Sequence, residues 1–324
     1  MLDVVCFGEI LWDFFASSPR DREPIGRDFR RALGGASANV ATTLARLGVR
    51  SALVGAVGRD RLGDALLAHL RRDGVDTRFV VRLPARTGLT LVVRDKHGGA
   101  SFSPYRAGSA EGALREEHID ARMGRARWLL VGTGTLVTAD LARATERLLE
   151  VAARCGARIA VDLNVRPHLW SDPRRMQSAA RDLVSRAALV KASDADLRAL
   201  GDGSAVRWLE RHAPNASWLI TRRRRAATAK GEHGEVELAA LPSAHVDSTG
   251  AGDAFLAGAL AVLLAARAAP GSPSWREGAV WRAALRVGHM LGRKAVSRRG
   301  AVAGLVNLGR ARAVIESVGK ERHP

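Results

Sequence analysis

Short apolar runs alternate with helical patterns along the second half of this 324-residue chain. The runs are WLLVG from Trp128, RIAVDLN from Arg158, ALVKAS from Ala188 and SWLIT from Ser217. Strands and helices that alternate in this way form βαβ units, which build parallel sheets with helices on both faces. The pattern therefore predicts an α/β fold with a mostly parallel central sheet.

Two of the connecting segments carry helix signals. The segment from Thr138 to Cys155 places six residues on one face at helical spacing, and we expect that face to be buried. These residues are Leu141, Ala144, Leu148, Val151, Ala152 and Cys155. Asp172 precedes Pro173 and is predicted to cap the next helix, because proline is favoured at the first helical position.

Two other regions interrupt this alternation. Residues 87–105 alternate apolar and polar side chains around His97, Gly98 and Gly99, a pattern typical of an antiparallel hairpin. Residues 11–33 show no helical pattern and are predicted to add strands to the same small sheet. Such a sheet is suited to cover a site at the carboxyl ends of parallel strands. We therefore predict one domain over residues 1–324, with lid strands inserted at about residues 11–33 and 87–107.

The chain is strongly basic, with a formal net charge of +18. Clustered cations would favour nucleic acid or an anionic membrane as a partner. Here the basic residues are spread along the chain, and only five of the 51 are lysine, which genome composition alone can explain. The longest apolar stretch, Ala254 to Ala266, falls short of the ~20 residues that a membrane span needs. We therefore predict no nucleic-acid partner and no membrane partner.

The cysteine content and the first residues predict a cytoplasmic protein. Cys6 and Cys155 are the two cysteines, too few for a disulfide framework or a cysteine metal site. The opening residues, MLDVVCFGEILWDFF, lack a basic leader and carry three acidic residues among the apolar ones.

The strongest chemical signal is VDSTGAGDAF, residues 246–255, which continues into an apolar helical segment. A glycine-containing turn at a helix N-terminus presents backbone N–H groups to an anion, and the helix dipole adds to that attraction. Gly250, Ala251 and Gly252 have little or no side chain, so phosphate oxygens can approach their amides. Asp253 can accept a proton from an attacking hydroxyl while the amides stabilise a transferring phosphoryl group. A second interpretation stays open, in which the segment is only a glycine-rich turn and Asp253 is the cap of the helix that follows.

Two distant segments resemble the signatures of one family, the ribokinase-like (PfkB) carbohydrate kinases. DSTGAGDAF resembles the carboxyl-terminal signature, and GGASANVATTLARLG, residues 34–48, resembles the amino-terminal one. Further matching segments are GEILWD from Gly8, VGRDRLGDALLAHLRRDGV from Val57, PYRAGSA from Pro104, VDLNVRPHLW from Val161 and VKASDADL from Val190. The resemblance spans nearly the whole chain and is closest to the fructokinase and 2-keto-3-deoxygluconate kinase branch. It implies a ribokinase-like three-layer α/β/α fold with a small β-sheet lid.

The resemblance also implies a catalytic set and a sugar-binding set of residues. The catalytic positions are Asp253 as base and Gly250, Ala251 and Gly252 as anion hole. The positions that contact sugar or its phosphate are Asp13, Gly34, Gly35, Asn39, Arg106 and Arg166. A carboxylate or amide can bind adjacent sugar hydroxyls, and a guanidinium suits bidentate recognition of oxygens.

A nucleotide site and a cation site follow from the same resemblance. The nucleotide-binding positions are Ser193, Asp196, Thr221, Arg223, Gly252 and His289. The positions matched to a potassium site are Asp247, Thr249, Ala295, Arg298 and Gly300. ATP is the expected phosphoryl donor, and Mg²⁺ is expected with it because divalent ions neutralise charge on the phosphates. K⁺ is the further cofactor that the matched cation site implies.

The nucleotide side departs from the family pattern in three places, one of which is His289, near where ribokinase has an asparagine on the adenine side. Where relatives have Asn-x-x-Glu, this chain has Ser193 and Asp196, so the carboxylate stands on a shorter arm. Where relatives have Thr-x-Gly-x-x-Gly, this chain has Thr221, four arginines and Ala226. If the position of Arg223 needs a positive φ, arginine costs roughly 1–2 kcal/mol there or forces the loop outward. Alternatively, its guanidinium lies over the triphosphate or the adenine.

Together these features predict an ATP-dependent sugar kinase, whose acceptor is a hydroxyl of a fructose-like or 2-keto-3-deoxygluconate-like small molecule. One alternative is a nucleoside kinase on the same fold, in which Phe102 and Tyr105 stack on a base. Another is a catalytically weak sugar-binding or regulatory homologue. This alternative arises because Arg223 and Ala226 replace the two glycines of the family's nucleotide loop. Relatives often dimerise through their lid strands, so a homodimer is also expected.

Overall fold

Thirteen strands and nine α-helices make up the described part of the computed structural model, which covers residues 1–17, 28–94, 100–201, 205–242 and 246–320. The strands are β1 (Leu2–Phe7), β2 (Leu11–Ala16), β3 (Phe29–Gly34), β4 (Ser51–Gly58), β5 (Val80–Leu83), β6 (Leu89–Arg94), β7 (Ala100–Tyr105), β8 (Ala126–Gly132), β9 (Arg158–Asp162), β10 (Leu189–Ser193), β11 (Ser217–Thr221), β12 (Ala226–Gly231) and β13 (Gly234–Ala239). The helices are α1 (Ala36–Arg46), α2 (Arg61–Arg72), α3 (Ala139–Arg154), α4 (Pro173–Val184), α5 (Asp194–Ala199), α6 (Ala205–His212), α7 (Ala251–Ala265), α8 (Gly278–Ala295) and α9 (Gly309–Lys320).

A nine-stranded sheet runs through the molecule in the order β13-β12-β11-β10-β9-β8-β1-β4-β5. The strands from β11 to β5 pair in parallel, while β12 and β13 extend one edge as antiparallel strands. The predicted α/β fold with a mostly parallel sheet is therefore confirmed. Because the parallel strands all end on one side, the side chains that follow them are brought to a common edge.

Two apolar layers cover the two faces of this sheet. Residues that alternate along each strand divide between them, so Leu53 of β4 faces one layer and Val54 faces the other. The first layer contains residues of α1, α2, α7, α8 and α9, and the second contains residues of α3, α4, α5 and α6. The near-continuous apolar strands are thus buried on both faces, as expected of a parallel sheet within a three-layer α/β/α fold.

The helices predicted from the sequence begin where capping residues allow. Thr138 accepts a hydrogen bond from the amide of Leu141 at the start of α3, and Asp172 accepts one from the amide of Arg174 at the start of α4. Most of the predicted α3 face is buried, with Leu148 fully so. α3 ends at Arg154, and Cys155, which follows it as the C-cap, is exposed.

A separate four-stranded sheet has the order β3-β2-β6-β7. β6 and β7 form the predicted antiparallel hairpin, and β2 and β3 join them as the sequence predicted. The predicted turn at His97-Gly98-Gly99 lies outside the described residues, as do residues 18–27 between β2 and β3. β3 leads through Gly35 directly into α1, so this small sheet is connected to the large domain at the start of that helix.

The arginine segment forms the turn between β11 and β12. The amide of Arg222 donates to the carbonyl of Ala226 at 2.8 Å, and the amide of Arg225 donates to the carbonyl of Arg222 at 2.9 Å. Arg223 stands in this turn with a φ of 47°, and its side chain is exposed. The positive φ that would make arginine costly at this position is therefore present. The backbone at Arg223 carries the strain of a left-handed residue with a Cβ.

We expect Arg223→Gly to raise the free energy of unfolding by about 1 kcal/mol, since glycine adopts this φ without a steric cost. Equilibrium unfolding in urea measures the change. Arg224→Gly is the matched control, because Arg224 is exposed in the same turn and does not have a positive φ. There glycine only adds entropy to the unfolded chain, so stability should fall or stay level. Equal effects of the two substitutions would contradict the assignment of strain to Arg223.

Candidate active site

Polar side chains from distant parts of the chain meet at the carboxyl ends of the parallel strands. Asp162 ends β9 and Ser193 ends β10, while Glu9 follows β1. The N-termini of α1 and α7 lie at the same edge, since Asn39 of α1 is hydrogen-bonded to Asp253 of α7. This edge is the usual ligand-binding position of an open α/β sheet.

The GAGD turn builds the N-terminus of α7. Gly250 caps the helix with a φ of 75°, and a Cβ at that position would lie 2.3 Å from the Cβ of Ala301. Only glycine fits there, on both conformational and steric grounds. The first hydrogen bond within the helix runs from the amide of Ala254 to the carbonyl of Gly250. The amides of Gly252 and Asp253 come before this bond and have no acceptor within the helix. Such amides are available to an anion.

Asp253 is a buried carboxylate with one side-chain hydrogen bond. Asn39 Nδ2 donates to Asp253 Oδ2 at 2.8 Å, and the aspartate is 9% exposed. Burial, and then the charge of Asp162, raise the pKa of Asp253 to about 6, against the lowering influence of Asn39, Lys191 and Arg166. A carboxylate with a pKa near neutrality is better matched to accept a proton than an exposed aspartate is.

The opposite side of the same space is formed by the small sheet. Asp13 of β2 is 7% exposed, and its pKa is raised to about 7, first by burial and then by the charges of Asp247 and Asp253. A Cβ on Gly34 would lie 2.7 Å from Asp13 Oδ1, so glycine is needed for the carboxylate to take this position. Asn39 Oδ1 is buried and has no partner among the described residues, which leaves an acceptor open to a ligand hydroxyl.

Gly35 fixes the direction in which the chain enters α1. Its φ is 95°, and a Cβ there would lie 2.2 Å from the carbonyl oxygen of Glu9. A side chain would therefore separate α1 from the end of β1. The close contact that glycine permits places Asn39 one turn further along the helix, within reach of Asp253.

Arg106 is held between two glutamates. Its Nε donates to Glu111 Oε1 at 2.5 Å, and its Nη2 lies 3.3 Å from Glu9 Oε1. Burial raises the pKa of the Glu111 carboxyl to about 7, and the charge of Arg106 acts in the opposite direction. A cavity of about 130 Å³ opens beside this group, with apolar walls that include Leu114 and Leu141. The charge of Arg106 is therefore largely compensated before any ligand arrives.

Arg166 differs from Arg106 in its surroundings. Its side chain is exposed, and its Nη1 donates to the neighbouring carbonyl of Val165 at 3.3 Å. Its positive charge lowers the pKa of Asp253 and of Asp162, so it lies close enough to act on both. A guanidinium in this position can bind a phosphate or a carboxylate of a ligand.

The predicted nucleotide residues Ser193 and Asp196 form a capping box at α5. Asp196 Oδ2 accepts from the amide and the hydroxyl of Ser193 at 2.7 and 2.6 Å. Its Oδ1 accepts from the amide of Val165 at 2.7 Å, and the residue is 4% exposed. The shorter carboxylate thus joins the ends of β9 and β10 and has most of its acceptor capacity used within the chain.

The remaining predicted nucleotide positions lie at the end of β11, in the turn that follows it and on α8. Thr221 ends β11, and its hydroxyl is 3.5 Å from the carbonyl of Ala192. Arg222 is bound to Thr228 Oγ1 at 2.5 Å and to Glu237 Oε2 at 3.1 Å, whereas Arg223 is exposed. His289 of α8 is buried, with Nε2 at 3.1 Å from the carbonyl of Leu238.

Three of the five predicted potassium positions are in contact. Asp247 Oδ1 accepts from the amide and the hydroxyl of Thr249 at 3.1 and 2.8 Å, and Oδ2 accepts from the amide of Gly300 at 2.9 Å. Ala295 is buried at the end of α8, and Arg298 is exposed. In the described part of the chain, no group of three or more His, Cys, Asp and Glu side chains forms a metal cluster.

The sequence reasoning missed Glu9, Asp162 and Lys191 as site residues. Lys191 is 4% exposed, and its Nζ lies 3.0 Å from Asp162 Oδ1. A signal for this pair existed, because Lys191 interrupts the apolar run ALVKAS and Asp162 ends the apolar run RIAVD. Charged residues in strands that are buried on both faces require a partner or a function.

Known proteins similar to this chain are sugar kinases. A family model described as pfkB family carbohydrate kinase matches residues 1–307. The probable fructokinase-3 of Arabidopsis thaliana is 33% identical over 261 residues, which cover 78% of this chain and 75% of the relative. A fructokinase with bound ATP from Xylella fastidiosa has a TM-score of 0.82 at 30% identity, with 97% of this chain and 98% of that chain covered. A fructokinase from Vibrio cholerae O395 in fructose, ADP and calcium ion bound form has a TM-score of 0.82 at 26% identity, with 98% and 99% covered.

These similarities extend over both sheets and confirm the ribokinase-like fold that the two signatures implied. Among the helices that the structure describes, none is long and apolar enough to cross a membrane. The chain is a sugar kinase and belongs to the pfkB family of carbohydrate kinases.

Proposed function

We propose that this enzyme transfers the γ-phosphoryl group of ATP to a hydroxyl of fructose or a closely related neutral ketose, with Asp253 as the base. The observation that carries the proposal is the position of Asp253. Its buried carboxylate is oriented by Asn39 and lies beside the first amides of α7. A proton acceptor next to an anion-binding helix N-terminus is the combination that phosphoryl transfer to an alcohol requires.

In this proposal the sugar lies between the small sheet and α1. Asp13 and Asn39 bind its hydroxyls, and Asp253 takes the proton from the reacting one. The sugar oxygen forms a bond to the γ-phosphorus as the bond between that phosphorus and the bridging oxygen of ADP breaks. The amides of Gly250, Ala251 and Gly252 stabilise the charge on the transferred group, for which Ala251 exchanges its 3.3 Å hydrogen bond to the carbonyl of Ser248. ADP leaves with the electron pair of the broken bond.

Magnesium enters this proposal as part of the MgATP substrate. The described residues contain no cluster of acidic or histidine ligands, and the Asp196 carboxylate already accepts three hydrogen bonds. These residues therefore do not fit a magnesium ion held by the protein alone, and the ion neutralises phosphate charge from within the nucleotide complex. The potassium site at Asp247, Thr249 and Gly300, the homodimer and the cytoplasmic location stay predictions.

A neutral acceptor is supported by the charges around the sugar space. Arg106 is compensated by Glu9 and Glu111, and Asp13 adds a further buried carboxyl. A sugar carboxylate placed there would meet acidic groups without a free cation. The named relatives are fructokinases, and the Vibrio cholerae structure contains fructose. Both lines of support favour fructose over 2-keto-3-deoxygluconate.

One observation favours 2-keto-3-deoxygluconate as a second candidate. Arg166 is exposed at the edge of the site, and no carboxylate partner is present for it among the described residues. A sugar acid whose carboxylate reached Arg166 would be stabilised by a bidentate ion pair. In the fructose proposal the same guanidinium faces the phosphate groups instead.

We expect kcat/KM for fructose to exceed that for 2-keto-3-deoxygluconate by at least about tenfold, the equivalent of roughly 1.4 kcal/mol of like-charge repulsion. An ADP-release assay with MgATP measures both, with ribose and nucleosides as further acceptors. The reverse preference would favour the sugar acid, and preference for a nucleoside would favour the nucleoside kinase. If no acceptor is phosphorylated while a sugar raises the melting temperature and MgATP does not, the chain is the catalytically weak homologue.

We expect Asp253→Asn to reduce kcat by at least about 10²-fold, because the proton acceptor is lost, and to leave sugar and nucleotide binding largely intact. The same substitution should raise the melting temperature at pH 8. The pKa of Asp253 is raised to about 6, so above that pH the folded protein bears the cost of an ionised buried carboxylate that asparagine removes. The gain should shrink as the pH falls from 6 and disappear near pH 3.8, the ordinary pKa of an aspartate, below which Asp253 is protonated in the unfolded chain as well.

The matched control for this variant is Asp182→Asn, which alters an exposed aspartate on α4. It should change neither turnover nor the melting temperature. Normal turnover by Asp253→Asn would exclude the aspartate as the base.

The pH profile should reflect two buried carboxylates. The pKa of Asp13 is raised to about 7 and that of Asp253 to about 6, and both act as anions in the proposed mechanism. We therefore expect log kcat/KM to fall below pH 7 and to reach a slope of two below pH 6. In Asp13→Asn, the remaining limb should have a slope of one and a midpoint near 6. A profile that stayed flat down to pH 5 would contradict both assignments.

A further inference from the structure

Lys191 is a buried cation in the middle of the central sheet. It is the third residue of β10, two residues before Ser193, and is 4% exposed. Its Nζ lies 3.0 Å from Oδ1 of Asp162, the residue directly opposite it on β9. A fully buried lysine is rare, and the loss of its hydration must be offset by a partner.

The ammonium group lies against the turn that starts α7. A Cβ built on Gly252 would be 2.9 Å from Lys191 Nζ, so the nitrogen lies beside the backbone of this glycine. Lys191 and Gly252 are both fixed by the fold, one by the strand register and the other by the helix start. The cation is therefore held at the place where the mechanism puts the transferred phosphoryl group.

The local charge balance also calls for a cation at this point. Burial lowers the pKa of Lys191, but the charges of three buried carboxylates, those of Asp162, Asp196 and Asp253, outweigh it, so the pKa is raised. Without the lysine, these groups would repel the oxygens of a triphosphate. One ammonium group next to Gly252 supplies a positive charge at the point that the γ-phosphate must approach.

A purely structural ion pair explains these contacts less well. β9 and β10 are already joined by the parallel ladder, and a buried ion pair seldom adds stability relative to apolar residues of similar size. Moreover, Asp162 Oδ2 is buried without a hydrogen-bond partner among the described residues. The pair is thus incompletely satisfied, and both of its members lie at the site edge rather than within a closed core.

We propose that Lys191 is a further catalytic residue, whose Nζ donates to a γ-phosphate oxygen of ATP and stabilises it during transfer, and that Asp162 positions Lys191. This inference rests on the proposed kinase mechanism. Lys191 exchanges no proton in it: the sugar hydroxyl proton goes to Asp253, and the phosphorus–oxygen bond to ADP breaks as the bond to the sugar forms. The ammonium group keeps its charge throughout and acts electrostatically.

We expect Lys191→Met to reduce kcat by about 10²- to 10³-fold with little change in the KM for sugar. Binding is the second readout, measured by calorimetry with ADP and with a non-hydrolysable ATP analogue, both with Mg²⁺. The ratio of the two affinities should shift against the analogue by at least about tenfold, because only the analogue carries the γ-phosphate. The matched control is Lys230→Met, which removes a lysine of β12 that is paired with Glu210 of α6. It should change neither kcat nor the ratio of the two affinities.

A double variant separates catalysis from folding, because Lys191→Met leaves Asp162 as an unpaired buried charge. Asp162→Asn together with Lys191→Met removes both charges and should recover the melting temperature of the natural protein. If Lys191 acts on phosphate, this stable variant still lacks the preference for the ATP analogue, whereas Asp162→Asn alone keeps part of it, because the amide oxygen can still accept a hydrogen bond from Lys191.

Three results would overturn the proposal. The first is an unchanged affinity ratio in Lys191→Met, and the second is recovery of turnover by the double variant, which would show a structural role. In both cases the natural protein remains a kinase, so the proposed function stands. The third is failure of the natural protein to bind the ATP analogue at all, which would refute the proposed nucleotide chemistry together with this role for Lys191.

Discussion

The hydrogen bond from Asn39 to Asp253 is the contact on which the rest of the site depends. It joins the first turns of α1 and α7 across 214 residues of sequence. α1 can reach this position because Gly35 lets the chain pass against the carbonyl of Glu9, and α7 can because Gly250 passes against Ala301. Once the two helix starts meet, the small sheet, whose strand β3 leads into α1, is brought over the same edge, and Asp13 is placed opposite the proposed base Asp253.

The electrostatics of the site are the reverse of those of the chain as a whole. The protein carries a formal charge of +18, yet its site holds the buried carboxyl groups of Asp13, Asp162 and Asp253. Burial raises the pKa values of Asp13 and Asp253 toward neutrality, and the charges of Asp247 and Asp253 on Asp13 and of Asp162 on Asp253 add to it. Lys191 is the buried cation placed among them, so the same lysine that limits the cost of this acidic cluster faces the expected position of the phosphate.

The two segments predicted to bind nucleotide, at Ser193–Asp196 and at the arginine turn, form regular local structure. Asp196 is shorter than glutamate, but it binds the amides of Ser193 and Val165 and so joins two strand ends. Arg222 is fixed by Thr228 and Glu237 and supports the hairpin from which Arg223 extends. The turn is therefore well formed with one strained residue, Arg223, whose side chain is exposed.

Local sequence patterns by themselves predicted strands β8 to β11, helices α3, α4 and α7, the small sheet and the GAGD turn, because periodicity, capping residues and glycine requirements act over a few residues. They placed Cys155 on the apolar face of α3, whereas the helix ends at Arg154 and Cys155 is exposed. They also missed Lys191 and Asp162, whose pairing depends on the register of two strands 29 residues apart. Only the tertiary structure decided which charged groups share a buried space, because desolvation and charge–charge energies depend on distances between elements that lie far apart along the chain.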